Sequence, residues 1–309
     1  MPAGSVMREM QHAAVREDRL RRFVPTPLSA VLRVMGRTLS LETNSATVLS
    51  QARQVFEPYG AASPEGAEFV WRIVCENDAD AGEEWPPAHV LACESLRLVH
   101  FGARGFLAVD LEAKLAVGHV AERLTRDEAA FRGRFLAALF ESTAPALRLT
   151  ELTAACLSLA GKGLLLFGPS GREKTEASRL AARLGLELHS DQATFVEVAG
   201  RCAQAWGQFW PAVARPPAES VTPVLSIFLE PEDSQVPRLT PLPTREYSRR
   251  LQEEVLAGGA GRMNPEGEAV ARALSGLPAY RMAYGSDPSR AAIFLHSLLK
   301  THNLLEAHP

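Results

Sequence analysis

The chain has 309 residues, of which 46% are hydrophobic and 22% charged, with a formal net charge of −3. This apolar content excludes wholesale disorder, and the near-neutral balance argues against nucleic acid as the main partner. No apolar run reaches the roughly 18 residues that cross a membrane, and the N-terminal stretch has no secretory pattern. We therefore expect a cytoplasmic protein of about two domains, with neither a membrane nor a nucleic acid as partner.

The first half of the sequence predicts an arm followed by a small domain. Residues 1–24 are polar and arginine-rich, which is typical of a flexible or helical arm. Within residues 25–147, the stretch from about 28 to 122 alternates apolar and polar side chains in short runs, as β-strands do, with one helix over 46–56. Residues 105–120 predict a hairpin that turns near Glu112 and Ala113. We expect an α+β domain here, with Asp110 and His119 as hairpin positions rather than an acid–base pair.

A second helix of this half is predicted to begin at Thr125. The sequence Thr125-x-x-Glu128 matches a capping box, in which the hydroxyl and the carboxylate each satisfy one free backbone N–H. Four large apolar side chains then share one helical face: Phe131, Phe135, Leu139 and Phe140. Pro145 ends the run, so we place the domain boundary between residues 144 and 150, with this helix packed between the two halves.

From residue 150 onward, strands alternate with helices, an order typical of α/β proteins. Residues 155–167 predict two strands joined by a tight turn at 161–163, and the run LLLF is apolar on both faces, as in a central strand. Further strands are expected near 186–191, 223–230 and 278–284, with a hairpin over 193–206 that turns at Ala199 and Gly200. Helices are expected at 245–256, at 266–275 and from Asp287-Pro288 to about 300. We therefore expect residues 148–309 to form one domain.

The segment after LLLF nearly matches a phosphate-binding loop. In the pattern G-x-x-x-x-G-K-[ST], backbone N–H groups surround the phosphates, the lysine adds charge and the hydroxyl holds the metal. The following helix turns its positive end toward the same place and ends here at Gly185. One face of that helix is expected to be buried: Ala177, Leu180, Ala181 and Leu184. The candidate phosphate-binding residues are Gly168, Pro169, Ser170, Gly171, Arg172, Lys174 and Thr175.

Glu173 stands where the pattern has its last glycine. At about 5 Å and an effective dielectric constant near 20, its carboxylate repels each unit of phosphate charge by roughly 3 kcal/mol. The repulsion falls if Glu173 turns outward and pairs with Arg172 or Arg179, or if Arg172 points inward and supplies charge. Without such relief, the loop keeps its fold and loses its nucleotide.

Three stretches together resemble a known family: GPSGREKTE, LHSDQATF and LPAYRMAYGSDP. They are similar to the C-terminal domain of HPr kinase/phosphorylase, and more so to the HPr-kinase-like serine kinases found beside bacterial peptide-modification gene clusters. The resemblance covers residues 150–300. It implies a P-loop fold, ATP with Mg²⁺, and phosphoryl transfer to a serine of a protein or peptide. Because HPr kinases are hexamers, it also allows a homo-oligomer.

The resemblance assigns roles to four residues of this sequence. Lys174 and Thr175 match the loop lysine and the hydroxyl that holds the metal. Asp191 matches the first of two adjacent aspartates, which serve metal and acid–base roles. Glu176 matches a glutamate that often follows the loop. The resemblance thus implies Asp191 and Glu176 as catalytic residues, and Thr175 and Asp191 as Mg²⁺ ligands.

Three departures from the family pattern leave two functions open. Glu173 replaces the glycine, Gln192 replaces the second aspartate, and Thr153 stands where the family has a histidine. Glutamine can orient a water molecule but cannot take a proton. One hypothesis is an ATP-dependent serine kinase. The other is a catalytically inactive pseudo-kinase that acts as a binding or scaffolding module, and the three departures together favour it.

The remaining candidates each have a simpler structural interpretation. Glu230, at the end of an apolar strand, is a metal ligand or part of a polar turn. His189 is a base or a half-buried histidine. The pair Phe209-Trp210 forms a binding platform or packs under a loop, and three arginines form a partner surface or a solvated helix face: Arg245, Arg249 and Arg250. The cysteines and histidines lack metal-ligand spacing, so we expect no zinc site.

Overall fold

The computed structural model describes residues 24–61, 66–77, 85–168, 172–200, 202–210, 219–232, 237–258, 264–284 and 288–301. The chain is an α/β protein that combines mixed sheets with helices. Residues 1–23 of the predicted arm lie outside this description. Within the described ranges, no helix has the length and apolar character needed to cross a membrane.

Seven strands from the first half form one sheet, in the order β1-β2-β3-β7-β6-β5-β4. β2, β3 and β7 run parallel at its centre, and the other neighbours are antiparallel. The parallel pairs are a feature that the sequence analysis missed. The strands are β1 (Leu28–Val34), β2 (Arg37–Thr43), β3 (Phe69–Glu76), β4 (His89–Cys93), β5 (Leu96–His100), β6 (Gly105–Asp110) and β7 (Leu115–Ala121).

The predicted helix and hairpin of this half are confirmed. Helix α1 (Ala46–Phe56) follows Ser45, whose side chain accepts a hydrogen bond from the Val48 backbone N–H. The Asp110 carboxylate accepts from two backbone N–H groups of the β6–β7 turn, those of Glu112 and Ala113. His119 lies with its Nε2 atom 2.7 Å from Glu76. Asp110 and His119 therefore have separate structural partners and form no acid–base pair with each other.

The capping box predicted at Thr125 is wrong. The Thr125 hydroxyl donates to the Glu122 carbonyl at 2.7 Å, within a 3₁₀ turn that precedes the helix. Asp127 caps the helix instead, because its carboxylate accepts from the Ala130 backbone N–H at 3.0 Å. The cap therefore lies two residues later than predicted, and the helix begins at Glu128.

This helix is continuous but irregular. It consists of α2 (Glu128–Ala130), a π-helical segment (Phe131–Leu136) and α3 (Ala137–Thr143), and a 3₁₀ turn (Ala144–Leu147) contains Pro145. A π-helical segment rotates the face of a helix. The four side chains predicted to share its buried face are all inaccessible to solvent: Phe131, Phe135, Leu139 and Phe140.

The second half forms a six-stranded sheet in the order β11-β9-β10-β14-β16-β15 and a three-stranded sheet in the order β13-β12-β8. In the larger sheet, β10, β14 and β16 run parallel. The strands are β8 (Thr150–Leu152), β9 (Ala154–Leu159), β10 (Lys162–Phe167), β11 (Glu187–Ser190), β12 (Thr194–Ala199), β13 (Cys202–Gly207), β14 (Thr222–Pro231), β15 (Arg238–Pro241) and β16 (Ala279–Tyr284).

Four helices accompany these sheets: α4 (Arg172–Arg183), α5 (Thr244–Gly258), α6 (Pro265–Leu274) and α7 (Pro288–Thr301). Three details differ from prediction. Strands β8 and β15 were not predicted. The β9–β10 turn lies at Ala160-Gly161, both with positive φ, rather than at 161–163. Leu184 is exposed rather than buried, because α4 ends at Arg183 before Gly185, whose φ is 107°.

Aromatic side chains from the second half complete the core of the first. Phe195, Trp206, Phe209 and Trp210 join the apolar cluster formed by the seven-stranded sheet and the helix 128–143. Phe140 of α3 makes edge-on ring contacts with three of them, at centroid distances of 5.1–6.5 Å. The packing interpretation of Phe209 and Trp210 is therefore confirmed. The domain boundary near residue 147 stays a prediction, although no strand of the first sheet lies beyond Ala121.

Two glutamates lie close together where the two halves meet. Glu141 belongs to α3, and Glu151 belongs to β8, opposite Phe195 of β12. Burial raises the pKa of Glu141 to about 7. Burial, and secondarily the charge of Glu141, raises the pKa of Glu151 to about 8. The folded chain therefore binds protons at this pair more tightly than the unfolded chain does.

We expect this pair to make folding stability depend on pH in the neutral range. Because both pKa values are raised on folding, the stabilisation is complete in acid and is lost as the pH rises through about 7 and 8. Urea unfolding should show the free energy of unfolding falling by on the order of 2 kcal/mol between pH 6 and pH 9. The double variant Glu141→Gln/Glu151→Gln should remove most of this slope. An equal slope in both proteins would contradict the assignment.

Candidate phosphate-binding site

The loop that resembles a phosphate-binding loop lies at the carboxyl edge of the parallel strands. β10 ends at Phe167 and α4 begins at Arg172, so residues 168–171 connect a central strand to a helix. The neighbouring parallel strands β14 and β16 end at the same edge. In open α/β sheets, ligands bind outside this edge. The predicted strand and helix are therefore present, and the start of α4 lies where ligands bind in this class of sheet.

Only part of the predicted loop lies within the described residues. Gly168 packs closely against β14, since a Cβ atom added to it would lie 3.1 Å from the Leu229 Cβ. A glycine is thus favoured at this position by packing alone. Pro169, Ser170 and Gly171 lie outside the described residues, as do the side chains of Arg172 and Glu173. Their roles stay predictions.

Lys174 is buried in the first turn of α4. Its side chain is 2% exposed, and its Nζ atom donates to the Thr153 carbonyl at 2.7 Å and to the Gln192 carbonyl at 3.5 Å. Burial lowers the pKa of Lys174, and the charges of Glu254 and Asp191 oppose that shift. An ammonium group has three donors. Within the described residues, two of them point at backbone carbonyls, which leaves one for a further acceptor.

Glu254 is the site residue that sequence reasoning missed. It lies half-buried on α5, between the core residues Leu251 and Val255. Its charge acts on Lys174, although no ion pair within 4 Å joins these two described residues. Burial raises the pKa of Glu254, and Lys174 lowers it in part. No sequence motif signals Glu254, because it lies 80 residues from Lys174 and only the packing of α5 on β8 brings them together.

Asp191 follows β11 and is completely buried. Its Oδ2 atom accepts from the Arg179 Nε atom of α4 at 2.9 Å, while its Oδ1 atom has no hydrogen-bond partner among the residues that the structure describes. Burial raises the pKa of Asp191, opposed chiefly by the charge and hydrogen bond of Arg179. Arg179 therefore pairs with Asp191, and its possible pairing with Glu173, whose side chain lies outside the described residues, stays a prediction.

The other predicted residues lie around this pair. The Thr175 hydroxyl is 3.3 Å from the Asp191 carbonyl, so the two predicted Mg²⁺ ligands are neighbours. Gln192 is exposed beside them, and Glu176 is half-buried one residue further along α4. The unpaired Oδ1 of Asp191 and the Thr175 hydroxyl are hard oxygen donors of the kind that Mg²⁺ prefers. They fit that ion chemically, although within the described ranges no group of three or more potential metal-ligating side chains occurs.

His189 is not placed to act as a base. Its side chain is buried, and its Nε2 atom lies 2.8 Å from the Ser158 hydroxyl. That hydroxyl donates to Glu187 at 2.9 Å, so Nε2 carries the proton and donates to it. Burial also lowers the pKa of His189, opposed by Glu187. The structure therefore agrees better with the interpretation of His189 as a packed histidine than with a catalytic role.

Glu230 contacts arginines. Its carboxylate lies 2.6 Å from Arg250 of α5 and 3.6 Å from Arg281 of β16. Arg250 also pairs with Glu246, and Arg249 pairs with Glu253 along the same helix. Glu230 and two of the three clustered arginines, Arg249 and Arg250, thus have ion-pair partners within the protein. Arg245 is the third arginine of that cluster.

Comparison with known proteins adds little to this geometry. The sequence matches no family model and no curated protein. Among solved structures, the HPr(Ser) kinase/phosphatase from Coxiella burnetii aligns with 51% of this chain and 99% of its own, at 11% identity and a TM-score of 0.30. This is weak structural similarity, and a TM-score so low carries no argument about fold or activity.

We expect the ion pair between Arg179 and Asp191 to be needed for the stability of the folded chain, because Asp191 is buried. Arg179→Ala leaves an uncompensated carboxylate inside the protein and should lower the free energy of unfolding by about 1–3 kcal/mol. Adding Asp191→Asn should restore most of that loss, as measured by urea unfolding. Arg183→Ala, which removes an exposed arginine of the same helix, is the matched control and should cost little. Additive losses in the double variant would show that the pair does not interact.

Proposed function

We propose that this chain is an HPr-kinase-like protein that binds ATP with Mg²⁺ at residues 168–175 and recognises a protein or peptide. The observation that carries the proposal is the position of Lys174. It lies at the start of the helix that follows a central parallel strand, with its ammonium buried and one donor available. An oxyanion is the natural further acceptor for a buried ammonium at a helix N-terminus.

Phosphoryl transfer to a serine is the activity that this arrangement would serve in a kinase. Lys174 and the loop amides would hold the phosphates, and Thr175 and Asp191 would hold Mg²⁺. Asp191, with Glu176, would orient the acceptor hydroxyl. Such catalysis is mainly positioning and charge neutralisation, so it depends on the carboxylates reaching the acceptor.

A specific observation favours the second candidate, a catalytically inactive pseudo-kinase that binds or scaffolds its target. Asp191 is completely buried, and Arg179 occupies one of its two oxygens. Gln192, at the position of the second aspartate, is exposed but cannot take a proton. A nucleotide can therefore bind while the group that would activate the acceptor is withheld. We accordingly propose nucleotide binding with weak or absent transfer.

We expect calorimetric titration to detect ATP binding that depends on Mg²⁺ and Lys174. Lys174→Met should abolish the heat of binding. The control variant Lys162→Met removes the lysine at the opposite end of β10, the strand that precedes the loop. It should leave the heat of binding unchanged. Glu173→Gly should tighten binding by an order of magnitude or more, because the carboxylate repels each phosphate charge by roughly 3 kcal/mol before screening. If neither wild type nor Glu173→Gly binds ATP, the proposal is wrong.

We expect the wild-type chain to bind ATP without forming ADP above the uncatalysed rate. Asp191→Asn should therefore leave the ADP formed at this background level, measured by a coupled assay with Mg²⁺ present, while the loss of a proposed Mg²⁺ ligand should weaken the binding. Glu173→Gly/Gln192→Asp restores the glycine and the second carboxylate and should be the variant that first shows turnover. Wild-type turnover that Asp191→Asn abolishes would instead establish the chain as an active kinase.

A further inference from the structure

The outer face of the seven-stranded sheet exposes an unusual amount of apolar side chain. Of the eight large apolar residues exposed in the described part of the chain, five lie on β4, β5 and β6: Val90, Leu91, Leu96, Leu98 and Phe106. The other three lie on separate elements: Val31, Leu184 and Ile293. Single exposed apolar residues need no explanation, but a contiguous group of them marks an interaction site.

Strand register places four of the five side chains on one face. Leu91 of β4 lies opposite Leu98 of β5, and Leu96 and Leu98 point to the same side because they are two residues apart. Phe106 of β6 lies opposite His100, which shares that side. We call this surface the leucine face: Leu91, Leu96, Leu98 and Phe106. Its members are 40–65% exposed, whereas Val99 and Leu107, which point the other way, are in the core.

Stacked rings bound the leucine face at one end. His89 and His100 stack at 4.9 Å with an interplanar angle of 18°, and Phe106 and His119 stack at 5.7 Å and 13°. These four rings follow one another across neighbouring strands β4, β5, β6 and β7. They give the sheet a flat ring-lined margin, a shape that can lie against another sheet.

Charge argues against a charged partner for this face. On the same side of β4–β7, the acidic group Asp110 is satisfied by the backbone of its own turn, and His119 lies against Glu76. A nucleic acid or a charged peptide would find few counter-charges here. The complementary surface must itself be apolar and close to neutral.

We propose that the leucine face is where two copies of this chain meet, each with its own leucine face. The other exposed apolar residues are scattered, so the described surface offers no second patch of this kind for a head-to-tail contact. A face that can match only itself gives a two-fold, closed dimer. The two sheets would stack about 10 Å apart, with the leucines of one copy between those of the other.

The size of the face sets the strength of the contact. Three strands about 4.8 Å apart and five residues long at about 3.4 Å each cover roughly 240 Å². A standard interface buries about 800 Å² per partner. The dimer should therefore be weak and should form only in concentrated protein.

The native cysteines provide the first test. Cys93 lies opposite Leu96 and so belongs to the same side of the sheet, while Cys202 is exposed on β13 of a different sheet. The rate at which iodoacetamide labels each cysteine can be followed by mass spectrometry. As the full-length protein is concentrated, the rate at Cys93 should fall several-fold, while the rate at Cys202 should stay constant. A labelling rate at Cys93 that does not depend on protein concentration overturns the proposal. Slow labelling at every concentration would mean that the same chain or another partner covers Cys93.

Sedimentation velocity provides the second test. Leu98→Lys places a charge within the leucine face and should convert the concentrated protein to monomer. Ile293→Lys makes the same change at a residue of α7 that is 57% exposed, and should leave dimerisation unchanged. Circular dichroism confirms that each variant is folded. A wild-type monomer at high concentration, or a dimer that survives Leu98→Lys, would refute this interface whether or not the chain binds ATP.

Discussion

The buried ammonium of Lys174 is the interaction on which the candidate site depends. A lysine that is 2% exposed must find partners inside the protein, because burying an unpaired charge costs several kcal/mol. Here the partners come from separate parts of the chain: the carbonyls of Thr153 and Gln192, and the carboxylates of Asp191 and Glu254 acting through charge. Removing any of them changes the environment in which a phosphate would have to bind.

That ammonium also connects the sheets to one another. Thr153 lies between β8 of the three-stranded sheet and β9 of the six-stranded sheet, and Gln192 lies between β11 and β12. Lys174 bonds to both connections, so the start of α4 is fixed to the points where the chain passes from one sheet to the other. The same connections carry Asp191, which Arg179 of α4 holds from the other side. A ligand that turned the ammonium outward would loosen these contacts.

Local patterns predicted much of the fold, because they depend on near neighbours. The helix at 46–56, the hairpins and the buried strand LLLF follow from periodicity and turn residues, and they are confirmed. The cap at Thr125 was wrong because two candidate caps, Thr125 and Asp127, lie two residues apart and the preceding turn uses the hydroxyl. The parallel pairing of β2, β3 and β7 depends on contacts between distant segments, which periodicity does not encode.

The site was predicted only in part for the same reason. Lys174, Thr175 and Asp191 come from a motif and its spacing, and they do lie together. Glu254 and the pairing of Arg179 with Asp191 arise from packing between elements and carry no motif. Both bear on the proposed function, because one acts on the charge of the lysine and the other restrains the carboxylate.

Covalent labelling with an acyl-phosphate derivative of ATP tests the central claim most directly, because such a probe acylates the lysine nearest the bound phosphates. The account predicts that mass spectrometry will find the label on Lys174, removed by competing ATP with Mg²⁺. Label spread evenly over Lys114, Lys162 and Lys300, or label on Lys174 that ATP does not displace, would contradict it.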